Sequence, residues 1–276
     1  MKKLEYRKFI ISFCVLSFAF FFGYGSDLTG ASAIASSWKV VGSAGFSARV
    51  ASYTSLYVYK GTPYVAYKDY ANDKKATVMK YDRSSWVPVG SAGFSAGTAE
   101  CISLYVYNGT PYVAYDDWGN NKKATVMKYN GTKWVPVGSA GFSSGTAEYT
   151  SLYVYNGTPY VAYRDRANDC KATVMKYDGT KWVPVGSASI SAGVAGYTSL
   201  YVYKGTPYVA YQDFANDKNT ATVMKYDGTK WVNVGSAGFS AGGASTTSLY
   251  VDNGTPYVAY KDYANDEKAT VMKYSP

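Results

Sequence analysis

The chain has 276 residues, no histidine, 3 cysteines and a formal net charge of +9 at pH 7. Because histidine is missing, Ser-His and Cys-His nucleophile systems and histidine-ligated metals are excluded. The cysteines are too few for a disulfide scaffold, so a hydrophobic core has to stabilise the fold.

The positive charge would attract an exported protein to anionic polymers such as acidic polysaccharide or nucleic acid. Many of the lysines, however, recur at one position of a sequence repeat, which indicates a solvated strand face more than a concentrated patch. These lysines are Lys80, Lys128, Lys176, Lys225 and Lys273. We therefore expect no specific nucleic-acid partner.

Residues 1–35 are predicted to be a signal peptide. Basic residues cluster in the first eight positions, and the apolar run over residues 9–22 is short for a membrane span. Small residues follow, and we place cleavage before Ser36, with cleavage after residue 25 or 33 as alternatives. An uncleaved anchor is the competing interpretation. Residues 36–276 are then a secreted domain without a transmembrane segment.

The mature region is a repeat with a period of about 48 residues. Its tryptophans are spaced by 48, 48, 48 and 49 residues. They are Trp38, Trp86, Trp134, Trp182 and Trp231. Each unit holds four short β-type runs, named a to d, which in the second unit cover residues 103–107, 111–117, 124–129 and 134–138. Such a period without a helical pattern is typical of propeller blades.

Short turns connect these runs. Asn-Gly or Lys-Gly separates runs a and b, and Asp-Gly or Asn-Gly separates most c and d runs. These dipeptides favour type I′ hairpins, because both central residues need a positive φ. Each unit is therefore predicted to be a four-stranded antiparallel meander.

The two ends of the repeat region suggest how the units assemble. The first run, residues 38–42, is a d strand without a unit, and the last unit stops after its c strand, residues 269–274. We predict an all-β five-bladed β-propeller over residues 36–276, in which the N-terminal strand closes the last blade. A linear solenoid would need capping units, and a transmembrane barrel would need longer strands.

This layout resembles the five-bladed tachylectin-type lectins. The resemblance lies in the five blades of similar length, the tryptophan at the head of strand d and the Gly-rich connector GSAGF at residues 42–46 and 90–94. It also resembles exported bacterial repeat proteins. The tachylectin-type resemblance implies pockets that each bind an N-acetylated hexosamine.

The loops from b to c and from d to a share one end of the blades, and they are where the units differ most. The b-to-c loop contains KDYAND in the first and fifth units and DDWGNN, RDRAND and QDFAND in the others. Its carboxylates could form Asx-turns, contact a ligand, hold Ca²⁺ or act in pairs on a glycoside. A motif present in every unit favours turn chemistry over catalysis, so we expect no catalytic residue, no metal and no cofactor.

Aromatic residues beside fixed polar groups suit a sugar ring. We therefore predict several equivalent weak glycan sites, built from the loop residues and the Gly-Phe connector. The candidate residues are Asp69, Tyr70, Asn72, Gly93, Phe94, Asp117, Trp118, Asn120, Asp165, Arg166, Asp213, Phe214, Asn216, Asp262, Tyr263 and Asn265. The expected function is that of a secreted, non-enzymatic, multivalent lectin-like protein with glycans or other cell-surface polymers as partners. The alternative is a structural or adhesive module that binds a protein.

Overall fold

The computed structural model describes residues 37–215 and 218–276. The chain divides into two units, Met1–Lys39 and Val40–Pro276. The predicted signal peptide and the candidate residue Asn216 lie outside the described residues. Among the described residues, no helix is both long and apolar enough to span a membrane.

The second unit is an all-β, five-bladed β-propeller, as predicted. The first blade consists of β1 (Ala51–Tyr59), β2 (Thr62–Asp69), β3 (Lys75–Tyr81) and β4 (Trp86–Pro88). The second consists of β5 (Ala99–Tyr107), β6 (Thr110–Asp117), β7 (Lys123–Tyr129) and β8 (Trp134–Pro136). The third consists of β9 (Ala147–Tyr155), β10 (Thr158–Asp165), β11 (Lys171–Tyr177) and β12 (Trp182–Pro184). The fourth consists of β13 (Ala195–Tyr203), β14 (Thr206–Asp213), β15 (Thr220–Tyr226) and β16 (Trp231–Asn233), and the fifth of β17 (Ala244–Asp252), β18 (Thr255–Asp262) and β19 (Lys268–Lys273).

Each blade is an antiparallel meander whose strands pair in chain order. The predicted a-to-b turns are confirmed: Asn108 has a φ of 46° and Gly109 a φ of 79°, which is the backbone that a type I′ turn requires. Short 3-10 helices lie in three of the b-to-c connections. They are Trp118–Asn120, Arg166–Asn168 and Tyr263–Asn265.

The hydrophobic cores lie between neighbouring blades. Between the first and second blades, for example, Val78 packs in one cluster with Leu104 and Val106. The tryptophan that opens strand d completes each junction: Trp134 stacks on Phe94 with ring centroids 4.1 Å apart, and its Nε1–H donates to the Val89 carbonyl at 2.7 Å. Burial of large apolar side chains at each junction therefore holds the blades together.

One part of the predicted fold differs. The sheet of the last blade has three strands, and residues 38–42 form no strand. The register of the other blades would place Lys39 opposite Lys273, whereas a valine faces the equivalent lysine elsewhere, as in the Lys128–Val135 pair. A like-charge pair directly across two strands weakens strand pairing. The predicted closing strand is therefore corrected to a three-stranded last blade.

Candidate functional site

A pocket opens at the end of the blades that carries the long loops. It encloses about 920 Å³ and is formed where the beginnings of the five a strands meet. Neighbouring a strands lie side by side, as the tyrosine pairs along them show, with ring centroids 4.7 Å apart for Tyr57 and Tyr105 and 4.8 Å apart for Tyr105 and Tyr153. The pocket is therefore central to the propeller and draws residues from every blade. We call it the central pocket.

A β-bulge in each a strand points one residue into the central pocket. The register between strands a and b shifts at this point in every blade, for example between Glu100 and Ser103. The bulged residues all have φ between 48° and 55°. They are Tyr53, Cys101, Tyr149, Tyr197 and Thr246. Positive φ is uncommon for residues other than glycine, and both bulges and such backbone outliers occur often at functional sites.

Beside each bulge, one residue of strand a faces one residue of strand b, and this pair differs in every blade. Glu100 faces Asp116 in the second blade, and Glu148 faces Arg164 in the third. The other blades place uncharged residues or a lysine there. Their pairs are Ser52–Lys68, Gly196–Gln212 and Ser245–Lys261. The repeated fold therefore surrounds the pocket with a chemically asymmetric set of groups.

Two of the three carboxylates at the pocket are neutralised by cations. Lys68 Nζ lies 2.6 Å from Glu100 Oε1, and Arg166 Nη2 lies 2.6 Å from Glu148 Oε1. Arg164 also pairs with Glu148. The Lys68–Glu100 pair joins the first blade to the second, whereas both pairs of Glu148 lie within the third blade. Together they fix the position of both glutamates.

Asp116 has a different environment. It is 4% exposed, and its Oδ1 has no hydrogen-bond partner within the described part of the chain. Burial, reinforced by the negative charge of Glu100, raises the pKa of Asp116 to about 7. Burial also raises the pKa values of Tyr149 and of the Cys101 thiol. At neutral pH the pocket thus holds a carboxyl that keeps its proton for a large part of the time.

The aromatic groups of the pocket are arranged as pairs. The rings of Tyr149 and Tyr197 are 4.7 Å apart, and the Arg164 guanidinium lies 5.1 Å from the centre of the Tyr149 ring. The threonine that follows the bulge donates to the bulge carbonyl of the preceding blade in three junctions, as Thr150 does to Cys101. These bonds keep the bulged backbone in place from one blade to the next.

The recurrent loop aspartates are buried and form the turns themselves. Asp69 accepts hydrogen bonds from the Ala71 amide at 2.9 Å, Asn72 Nδ2 at 2.8 Å and Thr77 Oγ1 at 2.9 Å. Asp117, Asp165 and Asp262 make the same three contacts, with Asn120, Asn168 and Asn265 as the side-chain amides. Asp213 caps the Ala215 amide and accepts from Thr222. The structure therefore supports the turn-chemistry interpretation for these carboxylates, and their role as ligand contacts stays a prediction.

The Gly-Phe connector is also part of the framework. The Gly93 amide donates to Thr77 Oγ1 at 2.9 Å, and a Cβ on Gly93 would lie 2.7 Å from the Asn72 Cβ. Phe94 stacks on Trp134 in the core. The predicted cluster of Asp69, Asn72 and Gly93 is thus assembled, but by contacts within the loop, and Phe94 belongs to the blade junction.

The predicted loop aromatics are at the surface. Trp118, Phe214 and Tyr263 are 40–48% exposed, and Tyr70 is half-buried. Lys122, which lines the central pocket, lies 3.9 Å from the centre of the Trp118 ring. Arg166, which occupies the aromatic position in the third blade, lines the pocket too. Tyr70, Trp118, Arg166, Phe214 and Tyr263 occupy equivalent loop positions at the same end of the blades as the central pocket, and we call them the rim residues.

The predicted site residues included neither the bulge residues nor the two glutamates of the pocket, Glu100 and Glu148. The sequence does carry a signal for these residues. Their positions vary from one repeat unit to the next, whereas the stretches SLYVY and PYVAY that follow them in the chain hardly change. The two cysteines of the described region are not bonded to each other, and Cys101 lies in the pocket. Within residues 37–215 and 218–276, no set of three or more acidic or cysteine side chains is arranged to hold a metal ion.

No protein-family model and no curated protein matches the chain. Among solved structures, the chain is similar to an α-L-arabinofuranosidase from Clostridium thermocellum, at 15% identity and a TM-score of 0.47 over 80% of this chain and 88% of that one. It is similar to an endo-arabinase from Bacteroides thetaiotaomicron, at 14% identity and a TM-score of 0.46 over 81% and 93%. A triple-arginine variant of AofleA from Arthrobotrys oligospora gives 11% identity and a TM-score of 0.55 over 80% and 67%.

At these identities the comparisons bear on the fold alone. The resemblance to tachylectin-type lectins stays a prediction. The prediction that the chain is not an enzyme is wrong as an exclusion, because structures similar in fold include glycoside hydrolases. That prediction assumed that a motif repeated in every blade leaves no asymmetric set of side chains for catalysis. The central pocket contains such a set, because Glu100, Asp116 and Glu148 come from only two of the five blades.

Proposed function

We propose that the protein is an exported carbohydrate-binding propeller whose main ligand site is the central pocket. The observation that carries this proposal is the convergence of bulged tyrosines, ion-paired carboxylates and arginines on one open cavity of about 920 Å³. That volume is within the range of small-molecule sites in proteins.

The chemistry of the lining suits a sugar. Tyrosine rings offer flat apolar area at a low cost in side-chain entropy, and the Arg164 and Glu148 side chains offer directional donors and acceptors for hydroxyl groups. Because the ion pairs already neutralise most of these charges, a neutral or weakly charged sugar can bind without leaving a buried charge unpaired. A protein partner through the same surface is the alternative that binding experiments have to exclude.

The rim residues make the binding multivalent. Tyr70, Trp118, Phe214 and Tyr263 are weak contacts that a long or surface-bound glycan reaches from the pocket. Arg166 replaces the aromatic in the third blade and favours an anionic substituent there. Several weak contacts on one polymer raise the overall affinity through effective concentration.

Replacing Tyr149 and Tyr197 together by alanine should reduce the affinity for a short soluble oligosaccharide at least about ten-fold, because the paired rings lose their contact area with the sugar. A glycan array identifies the oligosaccharide, and titration calorimetry at two salt concentrations measures the affinity. Binding that disappears in raised salt for every ligand would instead indicate simple charge attraction.

Replacing Tyr70, Trp118, Phe214 and Tyr263 together by alanine should leave that oligosaccharide affinity unchanged. Binding to a glycan-coated surface should fall at least about ten-fold, since only the surface-bound ligand uses the rim. The melting temperature should stay within a few degrees of the original, because three of the four rings are exposed. A large loss of stability would show that these aromatics are packing residues.

A second candidate function is hydrolysis of a glycosidic bond in the same pocket. It is favoured by Asp116, whose raised pKa makes it a proton donor at neutral pH, beside Glu148, which is paired with Arg164 and Arg166. A carboxyl that can donate a proton and a second carboxyl in the same site are the arrangement that glycoside hydrolysis uses. In this function a water molecule would attack the anomeric carbon and give a proton to a glutamate, while Asp116 would protonate the oxygen that leaves as the glycosidic bond breaks.

A further inference from the structure

The recurrent lysine of strand c lies beside a tyrosine of strand b in the first three blades. Lys128 pairs across the sheet with Tyr112, so the two side chains are neighbours on one face of the second blade. The lysines of the three pairs are half-buried. The other two pairs are Tyr64–Lys80 and Tyr160–Lys176.

Two pockets between neighbouring blades are built around these pairs. The first junction pocket, between the first and second blades, encloses about 520 Å³, and the second junction pocket, between the second and third blades, encloses about 470 Å³. Each pocket is lined by one tyrosine–lysine pair from either blade and by the two short turns of the later blade, which in the first pocket are residues 109–111 and 130–131.

The two junction pockets adjoin, because the Tyr112–Lys128 pair lines both of them. They lie at the end of the blades that carries the short turns, opposite the central pocket, and they share no lining residue with it. We call the two junction pockets together the lysine groove. Its tyrosine–lysine pairs are Tyr64–Lys80, Tyr112–Lys128 and Tyr160–Lys176.

The lysine groove has an excess of positive charge. None of the ion pairs formed within the described part of the chain includes Lys80, Lys128 or Lys176. The described residues that line the first pocket include two lysines and no carboxylate. The second pocket contains Asp178, whose carboxylate already accepts three hydrogen bonds within its own turn. Both pockets therefore present ammonium groups to an incoming anion.

The partial burial of these lysines strengthens their attraction for an anion. An ammonium group in a pocket is surrounded by less water than one on an open surface, so its interaction with a negative charge is less screened. The position of Lys128 in both pockets also favours a polymer over a single ion, because a chain with several charges can occupy both pockets at once and gains effective concentration.

The shape of the groove favours a polysaccharide over a nucleic acid. Single-stranded nucleic acids bind through bases that stack on exposed aromatic rings, whereas Tyr64 and Tyr112 are each only 9% exposed. A double helix is too wide to enter pockets of this size. A sugar residue with a charged substituent fits a pocket of about 500 Å³ and needs only the lysines and the polar edges of the turns.

We propose that the lysine groove binds an acidic polysaccharide, a chain of sugars that carries a carboxylate or sulfate on successive residues. One anionic group lies between Lys80 and Lys128, and another lies between Lys128 and Lys176. This site goes beyond the sugar site of the central pocket in both its place and the charge of its ligand.

Titration of the full chain with polygalacturonate and with dextran sulfate tests the proposal and shows whether the groove prefers a carboxylate or a sulfate. Uncharged dextran should displace neither polymer. Replacing Lys80, Lys128 and Lys176 together by glutamine should weaken binding of the preferred polymer at least about ten-fold, because the anions lose their partners while the length of each side chain is nearly kept. The affinity of the central pocket for a neutral oligosaccharide should not change.

A matched control removes the same charge from the same end of the blades. Lys133, Lys181 and Lys230 are exposed residues that follow the turns between strands c and d. Replacing these three by glutamine should weaken binding less than about three-fold, since exposed ion pairs contribute little. An equal loss in both triple variants would show attraction by net charge alone and would overturn the proposal.

The single variants identify the shared lysine and remain informative if the triple variant is unstable. Lys128→Gln should weaken binding more than Lys80→Gln or Lys176→Gln, because only Lys128 lines both pockets. Lys128→Arg, which keeps the charge, should bind within about three-fold of the original protein. The proposal is wrong if neither polymer binds, if the three single variants are equivalent to the original, or if single-stranded DNA binds as tightly through the same lysines.

Discussion

Replacing Asp69 by alanine should lower the free energy of unfolding by about 3 kcal/mol and the melting temperature by about 6–12 °C. The carboxylate is 2% exposed and accepts three hydrogen bonds, from the Ala71 amide, Asn72 Nδ2 and Thr77 Oγ1. Its removal leaves buried donors without partners, and this desolvation cost exceeds the value of the bonds themselves. Thermal and urea unfolding of the pure protein measure the effect.

Asp178→Ala is a control with the same number of hydrogen bonds. Asp178 accepts from the Thr180 amide, the Thr180 hydroxyl and the Lys181 amide, but in an exposed turn between β11 and β12. Water can replace those contacts, so the melting temperature should fall by less than half as much as for Asp69→Ala. If Asp69→Ala keeps its stability and loses glycan binding, the loop carboxylate is a ligand contact and the turn interpretation is wrong.

The blade itself follows from local chemistry, which is why it could be predicted. The Asn108-Gly109 turn and its counterparts need residues that accept positive φ, and the runs around them have the alternation and aromatic content of strands. The loop aspartates could not be assigned in the same way. Aspartate followed by asparagine serves both a turn and a sugar site, and only the buried position of the carboxylate separates the two.

The central pocket was not predicted, because its main feature breaks the strand pattern. The a strand of the second blade was predicted for residues 103–107, but it begins at Ala99 and contains the bulge at Cys101. A bulge inserts one residue, so side chains on either side of it no longer alternate in phase. The sequence signal for the pocket was the variation between repeat units at the positions of Glu100 and Asp116. This variation marks the two positions, but it does not show that the fold brings them together in a pocket.

The sequence also did not determine how the two ends of the repeat region are arranged. The WKVVG segment and the last blade are complementary in sequence, but complementarity does not state whether the two surfaces belong to one molecule or to two. Within the described residues, the last blade has three strands and residues 38–42 form no strand.

Replacing Asp116 by asparagine should stabilise the protein at pH 8 and leave its stability at pH 4 unchanged. Burial and Glu100 raise the pKa of Asp116 from 3.8 to about 7 in the folded state. Below pH 4 the carboxyl is protonated in both the folded and the unfolded chain and has no effect on the equilibrium. Between pH 4 and 7 the unfolded chain releases this proton more readily, so the wild-type protein loses stability as the pH rises.

That difference in pKa corresponds to about 4 kcal/mol at most, and solvent in the open pocket should reduce it to about 2 kcal/mol. Asp116→Asn removes the loss, so the gap between the two melting curves should open across pH 4–7 and stay constant above it. Asp252→Asn, which changes an exposed carboxylate at the end of β17, is the control for the change of side chain. Equal curves at pH 8 would mean that the Asp116 carboxylate is stabilised in the pocket by the cation of Lys122.

The same variant separates binding from hydrolysis. If the pocket cleaves the glycan that it binds, release of reducing sugar should fall at least about 100-fold in Asp116→Asn, because the proton donor is lost while the shape of the side chain is kept. The wild-type rate should also decline above pH 7, where the carboxyl gives up its proton. A wild-type protein that binds the glycan tightly and releases no sugar at any pH would contradict hydrolysis and leave Asp116 as a hydrogen-bond donor to a bound sugar.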